Sequence, residues 1–118
     1  MAAKDELGRR GEDEAVRYLE QRGMVVLSRN WRCRDGELDV VATDADLLVV
    51  CEVKTRSGTR FGAPAEAVTS RKAATIRRVT QAWLAAHHVR WVEIWFDVVA
   101  VLMEPGRPTT LQHYEAAF

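Results

Sequence analysis

The chain has 118 residues, 47% of them hydrophobic and 29% charged, with 17 basic residues balancing 17 acidic ones. That length predicts one domain over residues 1–118 that buries a core without disulfides or a structural metal, and zero net charge exerts no overall pull toward nucleic acid. No apolar run, Leu47 to Cys51 included, comes near the roughly 20 residues that span a bilayer, which argues against a membrane role, and Met1-Ala2-Ala3-Lys4-Asp5-Glu6 has no apolar signal core, so that Cys33 and Cys51, in no zinc-like spacing, point to the cytoplasm.

In chain order, Leu7, Gly8, Gly11, Ala15, Tyr18 and Leu19 recur at helical spacing and predict a helix over about Asp5 to Gln21, with Gly23 as its stop. Glu12 falls on the apolar stripe of that helix, in line with Gly8, Ala15 and Leu19. Met24 to Arg32 predicts a first strand and Arg34-Asp35-Gly36 a turn. Glu37-Leu38-Asp39-Val40-Val41-Ala42 and Leu48-Val49-Val50-Cys51-Glu52-Val53-Lys54 both alternate, and Asp44-Ala45-Asp46 joins them as an antiparallel hairpin. Glu52 and Lys54 then share one face, Cys51 points to the other as a small core residue, and Asp39 lies on the neighbouring strand. A glycine-punctuated loop, Ser57 to Pro64, leads to a helix capped by Thr69 or Ser70 and running to about Ala86. Its stripe is Ile76, Val79, Trp83 and Leu84, and Lys72 lies on the same stripe four residues before Ile76. A last strand over about Val89 to Leu102 would put Trp91, Glu93, Trp95 and Asp97 on one face, before Pro105-Gly106-Arg107-Pro108 and a short tail. The order helix, three strands, helix, strand predicts an α/β fold with a mixed sheet and helices packed on it.

Charge set into strands that otherwise read as buried is the main functional signal. Asp39 and Glu52 are hard oxygen donors suited to Mg²⁺ or Mn²⁺, with a carbonyl such as that of Val53 and waters completing the coordination. A metal there would polarise a phosphate and lower the pKa of a bound water, and Lys54 would orient that water or stabilise transition-state charge, which is the equipment for phosphodiester hydrolysis. Glu12 would reach the site from the first helix, directly or through water; alternatively it is a carboxylate satisfied by Arg9 or Lys4. Glu52 and Lys54 also read as a cross-strand ion pair, and Lys72 as a snorkelling side chain. From Asp35 to Val53 there are six acids and no base, and from Lys54 to Arg78 seven bases and one acid. That reversal sets a cation site beside a phosphate-binding stretch in which Arg56, Arg60, Arg71 and Lys72 are the candidate DNA contacts. His87 and His88 are adjacent and suit a helix C-terminus rather than chelation, and His113 is isolated in the sequence.

Taken in order, Gly8-x-x-Gly11-Glu12, Asn30-x-Arg32, Gly36-Glu37-Leu38-Asp39, Glu52-Val53-Lys54-Thr55-Arg56, Phe61-Gly62, Lys72 and Phe96-Asp97-Val98-Val99 resemble the bacterial YraN family of uncharacterised proteins over nearly the whole chain. The family looks like a compact member of the PD-(D/E)XK restriction-endonuclease-like superfamily, distantly related to archaeal Holliday junction resolvases. The resemblance implies an αβββαβ core, divalent-metal endonuclease chemistry on DNA, metal-binding acids at Asp39 and Glu52, the superfamily lysine at Lys54 and a resolvase-like helix glutamate at Glu12. By analogy it also implies a homodimer and branched or processed DNA as substrate. Trp95 departs from the arginine usual in the family. Two other readings fit the same residues: an inactive nucleic-acid adaptor with a repair or DNA-uptake partner, in which Lys54 to Arg78 binds DNA without metal, and a protein-interaction module that binds no DNA.

Overall fold

A computed structural model describes residues 3–58 and 68–118. Helix α1 (Ala3–Gln21) is followed by strands β1 (Val25–Cys33), β2 (Gly36–Asp44) and β3 (Leu47–Arg56), helix α2 (Ser70–Ala86), and strands β4 (Glu93–Leu102) and β5 (Thr110–Tyr114). The strands form one sheet in the order β1-β2-β3-β4-β5, antiparallel everywhere except between β3 and β4. The parallel pair follows from the crossover through α2, since a return along the same direction requires a connection of helical length. The αβββαβ core order expected of a restriction-endonuclease-like fold is present, with β5 added at the edge.

Each helix covers one face of the sheet. Ala15, Val16 and Leu19 of α1 pack on Val40, Ala42, Val49, Cys51, Val99 and Val101, while Ile76, Val79 and Trp83 of α2 pack on Leu38, Val41, Leu48 and Val50. Alternation along β3 divides the two cores, Leu48 and Val50 toward α2 and Val49 and Cys51 toward α1. Full burial of side chains of this size contributes about 1.5–3 kcal/mol each relative to exposure. The strands β2 and β3, covered on both faces, therefore carry most of the core.

Helix ends obey local rules. Gly23 sits at φ 92°, its N–H donates to Glu20 O at 2.9 Å and that of Met24 to Leu19 O at 3.1 Å, the Schellman pattern that stops α1 where the glycine predicts. Thr69 caps α2 by accepting from the Lys72 N–H at 3.1 Å. At the other end His88 takes the left-handed position at φ 55° and the Val89 N–H closes back on Leu84 O at 3.0 Å. His87 caps the same end, its ring stacked on Trp83 with centroids 4.1 Å apart.

Two expectations are corrected. The last long strand starts at Glu93 rather than Val89, because Val89 is spent closing α2 and Trp91, at φ 53° and fully exposed, breaks the extended backbone. Trp91 is thus outside the face that holds Glu93, Trp95 and Asp97. The tail contains a strand, β5, pairing Leu102↔Thr110 through Val98↔Tyr114 after the Pro-Gly break. His113, isolated in sequence, is buried there: its Nε2 lies 2.7 Å from Asp97 Oδ2, and its Nδ1 2.9 Å from the Tyr18 hydroxyl. The Ala116 N–H donates to Asp97 Oδ1 at 2.9 Å, so Asp97 is a buried structural carboxylate that ties the tail to β4.

Candidate active site

The β2–β3 ladder runs from Asp44↔Leu47 to Val40↔Cys51 and stops there. Asp39 and Glu52, next in register, are not a ladder pair; the strands fork, and the Val53 N–H donates to Asp39 Oδ2 at 2.9 Å in place of a backbone carbonyl. A buried N–H must be paired, and a side chain at the mouth of the fork supplies the acceptor. Beyond the fork β3 keeps its parallel partner, Glu52↔Val98 and Lys54↔Ala100, so Glu52 and Lys54 hang on a fixed strand.

Glu52 is 6% exposed and faces α2. Its Oε2 lies 3.3 Å from Lys72 Nζ and 3.7 Å from Lys54 Nζ. The position of Lys72 on the apolar stripe of α2 is what turns its ammonium inward. The expectation that Lys72 contacts phosphate therefore meets a nearer partner, the carboxylate of Glu52. Burial, then the hydrogen bond and like charge of Glu52, push the Asp39 carboxyl up to about 8, against the opposing pull of the Val53 N–H. The pair therefore holds on to a proton well above the usual carboxylate range, Asp39 against Glu52 like the members of a carboxyl dyad.

Glu12 comes from α1, 8% exposed. Its Oε1 accepts from Arg29 Nε at 3.3 Å, Arg29 Nη2 at 3.2 Å and Asn30 Nδ2 at 2.7 Å, so its carboxylate is satisfied from β1. Burial raises its pKa despite those donors. The helix can come this close because residue 11 is glycine: a Cβ there would overlap Oγ1 and Cγ2 of Thr55 on β3. Gly8, Glu12, Asn30, Asp39, Lys54 and Arg56 line a cleft of about 840 Å³, with Arg9 and Arg32 on its wall. Arg32 is paired with Glu37 at 2.7 Å. Arg71 is exposed in the first turn of α2, and Arg60 lies outside the described residues.

The three acids share a pattern. Each commits one oxygen to these donors: Asp39 Oδ2 to Val53, Glu52 Oε2 to the two lysines, Glu12 Oε1 to Arg29 and Asn30. Asp39 and Glu52 also hold each other. Two carboxyls that share a proton when no cation is between them match a small divalent ion, which needs one or two carboxylates and completes its shell with water. Among the described residues no three His, Cys, Asp or Glu side chains come together closely enough to form a cage, so Glu12 does not form one cluster with Asp39 and Glu52.

Sequence reasoning missed the β1 donors of Glu12 and the Lys72–Glu52 pair. The signals were Asn30-x-Arg32 and a lysine on an apolar helix stripe. Trp95, which stands where the resemblance has an arginine, pairs in register with Val49, three positions from Glu52↔Val98, and donates from Nε1 to Glu93 Oε2 at 2.7 Å. It takes no part in the fork. Among the described residues no helix is long and apolar enough to cross a membrane.

The model of the uncharacterised protein family UPF0102 matches residues 11–101. A UPF0102 protein of Frankia alni is 55% identical over 118 residues, covering 100% of this chain and 98% of its own length. One of Nocardia farcinica is 50% identical over 115 residues, covering 98% and 91%. Among solved structures, Hjc, a Holliday junction resolvase of Archaeoglobus fulgidus, superposes with a TM-score of 0.46 at 12% identity, over 92% of this chain and 86% of that one.

Proposed function

The chain belongs to the uncharacterised protein family UPF0102, as the YraN resemblance implies, and from the geometry of the fork we propose that it is a divalent-metal-dependent endonuclease hydrolysing phosphodiester bonds in DNA. The observation that carries this reading is the pairing of Asp39 with the buried carboxyl of Glu52 where β2 and β3 part, with Lys54 on the cleft side. Placing like charges in a half-dry fork costs stability, and a cation between them removes the cost.

Mg²⁺ or Mn²⁺, when bound, supplies charge neutralisation at the phosphate and an acidified water. Asp39 Oδ1 and Glu52 Oε1 would hold it, their other oxygens being fixed by the Val53 N–H and the lysines. Lys72 steadies Glu52 from behind, which leaves Lys54, on the cleft wall, to meet the scissile phosphate and the attacking water. Arg56 on the cleft rim and Arg71 on α2 extend a basic surface along which a phosphate backbone runs.

The test is incubation of the pure protein with Mn²⁺ and linear, single-stranded and four-way DNA. Cleavage that requires the metal and disappears in Asp39→Ala and Lys54→Ala is the expected result. Cutting that persists unchanged in either variant would sink the assignment, and metal-independent DNA binding without cleavage would identify an adaptor instead.

A further inference from the structure

Asn30 stands inside β1 with φ 51°, a left-handed backbone in the middle of a strand. Asparagine tolerates that region better than most residues, yet a strand interior gives no local reason to adopt it. The consequence is geometric. Successive side chains of a regular strand point to opposite faces, so Arg29 and Asn30 would face away from each other. Here both reach the same oxygen of Glu12, and Trp31 resumes the alternation by packing toward α2.

Satisfying a buried carboxylate does not require this arrangement. Arg29 alone gives Oε1 two hydrogen bonds, at 3.3 and 3.2 Å, and also pairs with Asp13 at 2.6 Å. The left-handed turn adds a third donor at 2.7 Å, the shortest of the three, on the oxygen already served. Converging donors on one oxygen fix the rotation of the carboxylate and hold its second oxygen away from them. Glu12 and Asn30 both line the cleft together with Asp39.

We infer that Asn30 is a positioning residue, whose strained backbone pins Glu12 by Oε1 so that Oε2 is presented to the water shell of a divalent ion at the Asp39–Glu52 fork. This rests on the nuclease reading. Glu12, one step removed from the metal, is a partner of the kind whose loss changes affinity by about 10- to 100-fold, and Asn30 acts through it.

The experiment measures Mn²⁺ affinity from the electron paramagnetic resonance signal of the free ion, in the wild type, Asn30→Gly, Glu12→Gln and the double variant, with unfolding midpoints alongside. Glycine takes φ 51° without strain, so Asn30→Gly keeps the strand path and removes only the amide. The expected result is about a tenfold loss of affinity in each single variant and no further loss in the double variant. Asn30→Asp, which places a carboxylate against Oε1, loses at least as much and serves if the glycine variant does not fold. The inference is overturned if a folded Asn30 variant binds Mn²⁺ as the wild type does, or if Asn30→Gly weakens binding equally in the Glu12→Gln background. Absence of Mn²⁺ binding in the wild type overturns the nuclease reading and this inference together; Mn²⁺ binding that needs Asp39 and Glu52 but ignores Asn30 overturns this inference alone.

Discussion

Asp39→Asn is expected to stabilise the metal-free protein while abolishing cleavage. The amide keeps the shape of the side chain and an oxygen for the Val53 N–H, so the fork retains its backbone bond. What disappears is the cost of ionisation. A carboxyl moved from 3.8 to about 8 in the folded state represents on the order of 5 kcal/mol between the protonated and ionised limits. Because the folded pKa lies above the unfolded one, the folded state holds more protons between the two values. Stability contributed by this group is complete below about pH 4 and is lost as pH rises through about 8. Sharing of the proton with Glu52 and relaxation of the lysines reduce the net effect, so the gain expected for Asp39→Asn is about 2–4 kcal/mol at about pH 8, shrinking toward zero at about pH 4. Urea unfolding at several pH values reads it directly. Mn²⁺ at roughly a hundredfold excess over its Kd restores about 2.7 kcal/mol to the wild type at that higher pH and much less to the variant. A variant less stable than the wild type there, or a difference that does not change with pH, would refute the reasoning.

Gly11→Val drives a side chain into Thr55, and a loss of about 1–3 kcal/mol in denaturant unfolding is expected, accompanied by weaker Mn²⁺ binding as α1 and Glu12 lift off β3. Asp97→Ala leaves the Ala116 N–H and His113 without their buried partner, at a cost of about 2–4 kcal/mol in stability and with the Mn²⁺ affinity of the folded protein unchanged. Arg56→Ala with Arg71→Ala lowers the slope of log K against log salt for duplex DNA by about 2, one for each phosphate that is no longer neutralised; an unchanged slope would place the DNA elsewhere.

The fold was legible because two periodicities are clean. Helical stripes at Ala15, Leu19, Ile76, Val79 and Trp83, and strand alternation from Leu48 to Lys54, each give one answer. The fork was only half legible. Spacing put Glu52 and Lys54 on one face, but a ladder that stops after Val40↔Cys51 is a tertiary event with no local signal. Asn30 escaped for the opposite reason: nothing in Ser28-Arg29-Asn30-Trp31 announces a left-handed residue, since its stabilising contact, Glu12, lies 18 residues away. β5 was missed because its five residues follow a Pro-Gly segment and read as tail, although Leu111 and His113 alternate with exposed Thr110 and Gln112. Lys72 was placed on the right stripe, but its partner on β3 is visible only once α2 is docked on the sheet.

The attachment of the tail to Asp97 bears on the order in which the molecule forms. A chain is made from its N-terminus, so every described side chain of the fork, from Glu12 to Lys72, has been synthesised before β4 emerges. β4, the parallel partner that holds β3 in place, then carries a carboxylate in its interior whose donors, His113 and the Ala116 N–H, come still later. Until they arrive, Asp97 opposes the docking of the strand. His113 and the Ala116 N–H therefore act as a latch in time: the acids of the fork can be present in the nascent chain without being assembled, and the fork closes as one cooperative event only after β5 has been made.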